Sequence, residues 1–267
     1  MERYRVSKGS GFELAEWDPG ATDGFDGGKA EARAELAKLN RRLEALQEQL
    51  YANGRHRLLV VLQGMDTSGK GGTIRRVFEG VDPAGARVAA FRKPTGPELA
   101  HDFLWRVHPH VPADGEMVIF DRSHYEDVLI VRVHELVPAT RWRARYRHIR
   151  DFEKMLVDEG TTILKFFLHI SEDEQRERLQ ARLDDPEKHW KFRIADLDER
   201  KRWDDYMAAF EDAISETARP HAPWFVVPAD HKWYRDLVVC KAIIATLDGL
   251  DLDYPPSPDD LTDIAID

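Results

Sequence analysis

The chain switches between two hydrophobic periods. Leu36, Leu39, Leu43, Leu46 and Leu50 recur at alternating spacings of three and four, which predicts a helix over 29–51 with one apolar stripe. Such a stripe suits packing on the chain's own body, or a short dimer-forming coiled coil. From residue 57 the pattern changes. Continuous apolar runs at 57–63, 86–91, 116–121, 161–169 and 224–228 read as strands, with helical spacing between them near 70–80, 97–108, 140–159, 171–184, 197–216 and 232–248. Strands that are apolar on both faces and separated by helices predict an α/β fold, with a parallel sheet covered on each side. Two helix starts, Ser123-His124-Tyr125-Glu126 and Ser171-Glu172-Asp173-Glu174, carry the Ser-x-x-Glu of a capping box. Trp203, Tyr206, Met207, Phe210 and Ile214 follow helical spacing and read as core, as does Trp105.

Composition narrows the class. Of 267 residues 42% are apolar, enough for a sizeable core, and the net charge of −10 excludes a generally basic binder of nucleic acid or membrane surfaces. The single cysteine, Cys240, cannot form an internal disulfide, the charged start lacks the pattern of a signal peptide, and no apolar run reaches membrane-spanning length. A cytoplasmic protein is expected. Residues 1–27 lack clear periodicity, and the Pro- and Asp-rich stretch after Asp251 reads as an extended or disordered end. The expected organisation is an N-terminal extension and helix (1–56), a main domain (57–250) and a tail (251–267).

The chemistry begins where the first apolar run ends. Gly64-Met65-Asp66-Thr67-Ser68-Gly69-Lys70 follows a strand pattern directly and leads into a helical period at Thr73. That is the strand–loop–helix context of a phosphate-binding loop. Its glycines let backbone N–H groups converge on phosphate oxygens, the helix N-terminus adds its dipole, and Lys70 adds a cation. Gly64, Thr67, Ser68, Gly69, Gly71, Gly72 and Thr73 are the expected cradle. Two positions depart from the common pattern: Gly71 stands where a Ser or Thr usually ligates Mg²⁺, and an acid, Asp66, lies inside the loop. A carboxylate among donors meant for phosphate implies an intervening cation, so Asp66 is a metal-ligand candidate, or an Asx-turn residue. The run Met117-Val118-Ile119-Phe120-Asp121 ends in a second acid, as a Walker B strand does, with Arg122 next as a charge stabiliser or a surface ion-pair partner. Arg178 and Arg182 share a helix face, and Arg178 also suits a pair with Glu174. The Pro-broken stretch after them, with Lys188 and Lys191, is placed as a cationic lid over about 184–196. Arg141, Arg143, Arg145 and Arg147 alternate around a helix and read as solvated.

Taken together, Gly64–Thr73, Phe120-Asp121-Arg122-Ser123-His124-Tyr125-Glu126-Asp127 and Asp185-Pro186-Glu187-Lys188-His189-Trp190-Lys191-Phe192 resemble the family-2 polyphosphate kinases. Glycine after the loop lysine is normal for that family, and the Ser-His-Tyr-Glu-Asp run resembles the subgroup that phosphorylates nucleoside mono- and diphosphates. The resemblance implies a P-loop kinase-like, three-layer fold with five parallel strands, Mg²⁺ dependence and inorganic polyphosphate as donor; a homo-oligomer is expected separately. The resemblance also implies Asp66 and Asp121 as metal ligands, Lys70 as the loop lysine, and Arg122 with Arg178 or Arg182 as phosphate contacts. The alternatives are an ATP-dependent nucleoside monophosphate kinase, against which Gly71 and Asp66 argue, and a non-catalytic P-loop regulator.

Overall fold

The computed structural model describes residues 1–257, 259 and 266. A two-residue strand, β1 (Arg5–Val6), precedes the five expected ones: β2 (Arg57–Gln63), β3 (Ala86–Ala90), β4 (Met117–Asp121), β5 (Thr161–His169) and β6 (Trp224–Pro228). They form one sheet in the order β1-β6-β5-β2-β4-β3. Strands β2 to β6 are mutually parallel, while β1 pairs antiparallel with β6 through Arg5–Phe225 and Val6–Trp224. The sheet is therefore mixed and six-stranded, not the all-parallel five expected. The lead-in over 1–27 has no strand period of its own, and β1 exists only because β6 offers it an edge.

The helices are α1 (Lys29–Asn53), α2 (Lys70–Val77), α3 (Gly96–Leu99), α4 (Ile130–Val133), α5 (Ala139–Asp158), α6 (Glu172–Leu183), α7 (Ala195–Arg200), α8 (Trp203–Thr217) and α9 (Lys232–Leu247). One group joins α1 and α2 to α9, and a second joins α4 and α5 to α8. Side-chain alternation along β5 sends Lys165 and Phe167 to the second group, where they meet Glu153, Thr217 and Phe210. The leucine stripe is used inside the chain: Leu36, Leu43, Leu46 and Leu50 are buried on a helix that packs on α9. Leu58 to Leu62 are all fully buried, as a strand in the middle of a covered sheet requires.

Three local expectations fail for identifiable reasons. The helix expected over 97–108 is a single turn, α3, capped by Thr95. The Asp102 carboxylate then takes the N–H groups of Leu104 and Trp105 (2.9 and 3.2 Å), an Asx turn that competes with helix, and leaves Trp105 exposed rather than in the core. The helix expected over 197–216 is broken into α7 and α8, with Arg202 at the break donating to Val133 O at 2.7 Å. Neither capping box closes. Ser171 Oγ accepts from Glu174 N at 3.1 Å, but the Glu174 carboxylate turns to Arg178 at 2.6 Å, and Ser123 opens only a 3₁₀ turn, His124–Asp127. At the start of the tail, Asn53 Nδ2 donates to Asp253 O at 3.1 Å and Leu252 is buried. The rest of the expected tail, at 258, 260–265 and 267, lies outside the described residues.

Candidate active site

Parallel strands bring their C-terminal ends to one edge, and the conserved geometry of such sheets puts ligands there. Leu62 of β2 is in register with Asp121 of β4 and Phe166 of β5, so the loop after β2 and the acid ending β4 are neighbours. Arg122 N donates to Leu62 O at 3.1 Å and adopts φ 63°, a left-handed conformation that non-glycine residues rarely hold. From it, Arg122 Nη2 reaches across to Asp66 Oδ1 at 2.8 Å.

The loop turns on Gly64 (φ 151°), Thr67 (φ 68°) and Gly69 (φ 104°). Glycine is required at 69 on two counts: the positive φ, and a Cβ that would lie 1.8 Å from Arg235 Nη1. Around Gly71, by contrast, a Cβ would meet open space. Three successive loop carbonyls are held from behind. Asp66 O accepts from Gln175 Nε2 (3.1 Å), Thr67 O from Arg178 Nη1 (2.9 Å), and Ser68 O from both Arg178 Nη1 and Arg235 Nη1 (3.0 and 3.1 Å). Other polar groups of the loop are left over. Among the described residues the buried Thr67 Oγ1 and Ser68 Oγ have no partner, and the N–H groups of Gly69, Lys70 and Gly71 find no acceptor. Buried orphans are costly, so their concentration in one loop marks a place made for an anion.

Charges converge on the same spot. Lys70 Nζ donates to Gly64 O (2.7 Å) and Met65 O (3.3 Å), and it sits in the field of Arg122, Asp66, Asp121 and Glu126. Burial and Arg122 push its pKa down, against the three carboxylates. For Asp66, burial pushes upward, but Lys70 and Arg122 outweigh it and hold the carboxyl below its usual value. Glu126 behaves oppositely: burial raises it despite Arg122 and Lys70. The Gln63 amide satisfies its surroundings when its nitrogen donates to Glu126 Oε1 and its oxygen accepts from Ser123, each at 3.0 Å.

The expected residues do not all meet here. Asp66, Lys70, Asp121 and Arg122 do. Arg178 does not face the open side of the loop: its Nε binds Glu174, Nη1 the two loop carbonyls, and Nη2 Ala229 O and Asp230 O, which engages every N–H it has. Thr73 Oγ1 turns inward to Asp236 Oδ1 at 3.3 Å. Arg182 donates to Lys191 O at 3.2 Å and adds its positive field at Asp66. Lys188 pairs with Asp185 (2.5 Å) and Lys191 lies 4.7 Å from the centre of the Trp190 ring, so neither lysine is spent on the loop. The sequence reading missed Glu126, Gln175 and Arg235. Glu126 has a signal, the Ser-His-Tyr-Glu-Asp run, but the same run reads as a helix cap.

As a metal centre the donor set is spare. Among the described residues no group of three or more His, Cys, Asp or Glu is placed to hold an ion. Two carboxylates beside a phosphate cradle nonetheless fit Mg²⁺, which keeps waters and borrows phosphate oxygens. No helix among the described residues is long and apolar enough to cross a membrane.

The chain is similar to known proteins in both sequence and fold. A sequence model of the Polyphosphate kinase 2 (PPK2) family matches residues 27–254. An "AMP/ADP-polyphosphate phosphotransferase" of Meiothermus ruber is 61% identical over 255 residues, covering 96% of each chain. An "ADP-polyphosphate phosphotransferase" of Rhodopseudomonas palustris is 45% identical over 95% of this chain and 92% of its own. The crystal structure of Polyphosphate Kinase 2 from Arthrobacter aurescens TC1 superimposes with a TM-score of 0.94 at 50% identity, covering 97% of this chain and 93% of that one. The chain belongs to the polyphosphate kinase 2 family of phosphotransferases.

Proposed function

We propose that the chain transfers the terminal phosphoryl group of inorganic polyphosphate to AMP and ADP, and to the guanine nucleotides in the same way. The observation that carries this reading is the loop face on which unpartnered N–H and hydroxyl groups sit beside Lys70, Arg122, Asp66 and Asp121. Such a face recognises phosphate without needing a nucleoside on the donor. The names of the Meiothermus ruber and Rhodopseudomonas palustris relatives support the acceptors AMP and ADP.

The terminal phosphate oxygen of the acceptor is already ionised near neutral pH, so alignment and charge neutralisation suffice, with no general base. The N–H groups of Gly69, Lys70 and Gly71 and the hydroxyls of Thr67 and Ser68 bind the donor chain. Lys70 and Arg122 stabilise the charge of the group in flight. Asp66 and Asp121 would hold Mg²⁺, which when bound neutralises phosphate charge and orients its oxygens. Arg182 and the 184–196 segment form a lid whose closure excludes water. The main domain is then 57–250, with 1–56 as an extension packed on it.

The test supplies AMP, polyphosphate and Mg²⁺ without ATP and follows ADP by chromatography. ADP formation is expected. Phosphorylation of AMP only when ATP is present would replace this reading with an ATP-dependent kinase, and nucleotide binding without transfer would replace it with a regulator.

A further inference from the structure

The mechanism uses the open face of the phosphate loop, but its closed face is the more elaborately built. Gln175 and Arg178 of α6 and Arg235 of α9 are all buried, and together they hold the carbonyls of Asp66, Thr67 and Ser68. A peptide unit is planar and trans, so its C=O and the following N–H point in opposite directions. Fixing the Ser68 carbonyl on two guanidinium groups therefore aims the Gly69 N–H toward the open face, where it has no acceptor among the described residues. The orientation of that donor is set from behind.

We infer that Arg235 is a positioning residue for donor-phosphate binding. Its guanidinium is shared between two tasks. Nη1 holds Ser68 O at 3.1 Å, while Nε and Nη2 lie on Asp236 Oδ1 at 2.9 and 2.6 Å. Asp236, fully buried, in turn takes Thr73 Oγ1 and Arg76 Nη1 of α2, each at 3.3 Å. The Arg235–Asp236 pair thus couples the loop to the helix it launches, so that the loop N–H groups and the α2 N-terminus present themselves together. Gly69 leaves room for this plate, since a Cβ there would overlap Arg235, whereas one on Gly72 would make only ordinary contact with its Nη2 at 3.5 Å. A lysine at 235 brings one cation without the fork, so it cannot serve Ser68 and Asp236 in the same geometry.

The inference rests on the loop being the donor-phosphate cradle, and the experiment separates the two. Tripolyphosphate binding to wild-type protein and Arg235→Lys is measured by calorimetry with Mg²⁺, alongside thermal melting and the steady-state constants for each substrate. Arg235→Lys is expected to melt as a folded protein, to bind tripolyphosphate about tenfold or more weakly, and to raise the KM for polyphosphate while leaving the KM for AMP within about twofold. Wild-type affinity in folded Arg235→Lys, or equal weakening toward both substrates, would overturn the role of Arg235. Absence of tripolyphosphate binding to the wild type would overturn the cradle instead. If Arg235→Lys fails to fold, Asp236→Asn keeps the arginine but weakens its anchor. Weaker tripolyphosphate binding with an unchanged KM for AMP is then expected, and wild-type affinity refutes the inference.

Discussion

Asp66 and Arg122 hold each other in the structure, although the proposed chemistry needs each for something else: Asp66 for a cation, Arg122 for phosphate. The pair is made at 2.8 Å with side chains 30% and 40% exposed. A phosphate chain arriving without metal must therefore break an ion pair to recruit Arg122, and it also meets the Asp66 charge. Replacing Asp66 with Asn should tighten metal-free binding, a gain of function in a binding assay from the loss of a proposed ligand. The magnitude follows from exposure. A hydrogen bond to a charged group contributes about 1.5–3 kcal/mol when well shielded, whereas exposed ion pairs contribute about 0.2–1 kcal/mol. At this exposure the screened end applies, so about 1 kcal/mol is released, roughly fivefold in affinity.

Removing a negative charge would favour any anion, so a second background is needed. In Arg122→Ala protein the ion pair is already gone, and Asp66→Asn can relieve only repulsion. The assay is calorimetric titration of tripolyphosphate in EDTA across wild type, Asp66→Asn, Arg122→Ala and the double variant. A coupling of about 1 kcal/mol is expected, with the Asp66→Asn gain larger when Arg122 is present. Equal gains in both backgrounds would refute the pairing as an obstacle to binding, and weaker metal-free binding by Asp66→Asn would refute the whole line of reasoning. With Mg²⁺ restored, the sign should reverse.

The other expectations are more direct. Lys70→Ala and Asp121→Asn should each lower turnover by about two orders of magnitude or more while melting near the wild type, and wild-type-like activity in either would remove that residue from the mechanism. Gly69→Ala should lose both stability and activity, because it forces a side chain into φ 104° and against Arg235; an unchanged melting temperature would contradict that packing. Lys165→Met should destabilise the fold by about 3–5 kcal/mol in urea titration, since it removes the ammonium 2.6 Å from the fully buried Glu153 carboxylate; a loss below about 1 kcal/mol would contradict a desolvated pair. Burial lowers the His169 pKa from 6.5 to about 4, so the unfolded chain binds a proton between those values that the folded chain refuses. Its contribution is complete above pH 6.5 and is lost as pH falls toward 4, on the order of 3 kcal/mol in all, and His169→Asn should flatten unfolding free energy over that window.

What could be read from the sequence is what contiguous residues decide. The strand before the loop, the glycine spacing and the acid ending β4 each lie within a few positions, and the structure places Asp121 beside Leu62 as expected. Partners distant in sequence left no such trace. Arg178 meets Thr67 across 111 positions and Arg235 meets Ser68 across 167, so helical spacing alone could suggest a face shared with Arg182 and a pair with Glu174 for the first, and nothing for the second. Arg145 shows the same limit. Its alternation with other arginines suggested a solvated face, yet it is buried, donating to the carbonyl and carboxylate of Asp127 at 2.9 and 3.0 Å. The failed helix over 97–108 is a different case, because its competitor was local: Asp102 could have been read as an Asx turn interrupting the apolar period.

The two oddities of the loop now have different explanations. A side chain at Gly71 would meet open space, so packing does not exclude the hydroxyl that most phosphate loops carry there. Its absence is a matter of chemistry. Asp66, by contrast, is held in place by everything around it. Its carbonyl is tied to Gln175, its carboxylate to Arg122, and its charge is sustained by Lys70 against the cost of burial. On the proposed mechanism, a loop that stabilises an anion of its own among donors aimed at phosphate would take a cation between the two. If Asp66 inside the loop and Asp121 at the end of β4 hold the ion as proposed, a hydroxyl at 71 would add only a weak neutral donor beside them.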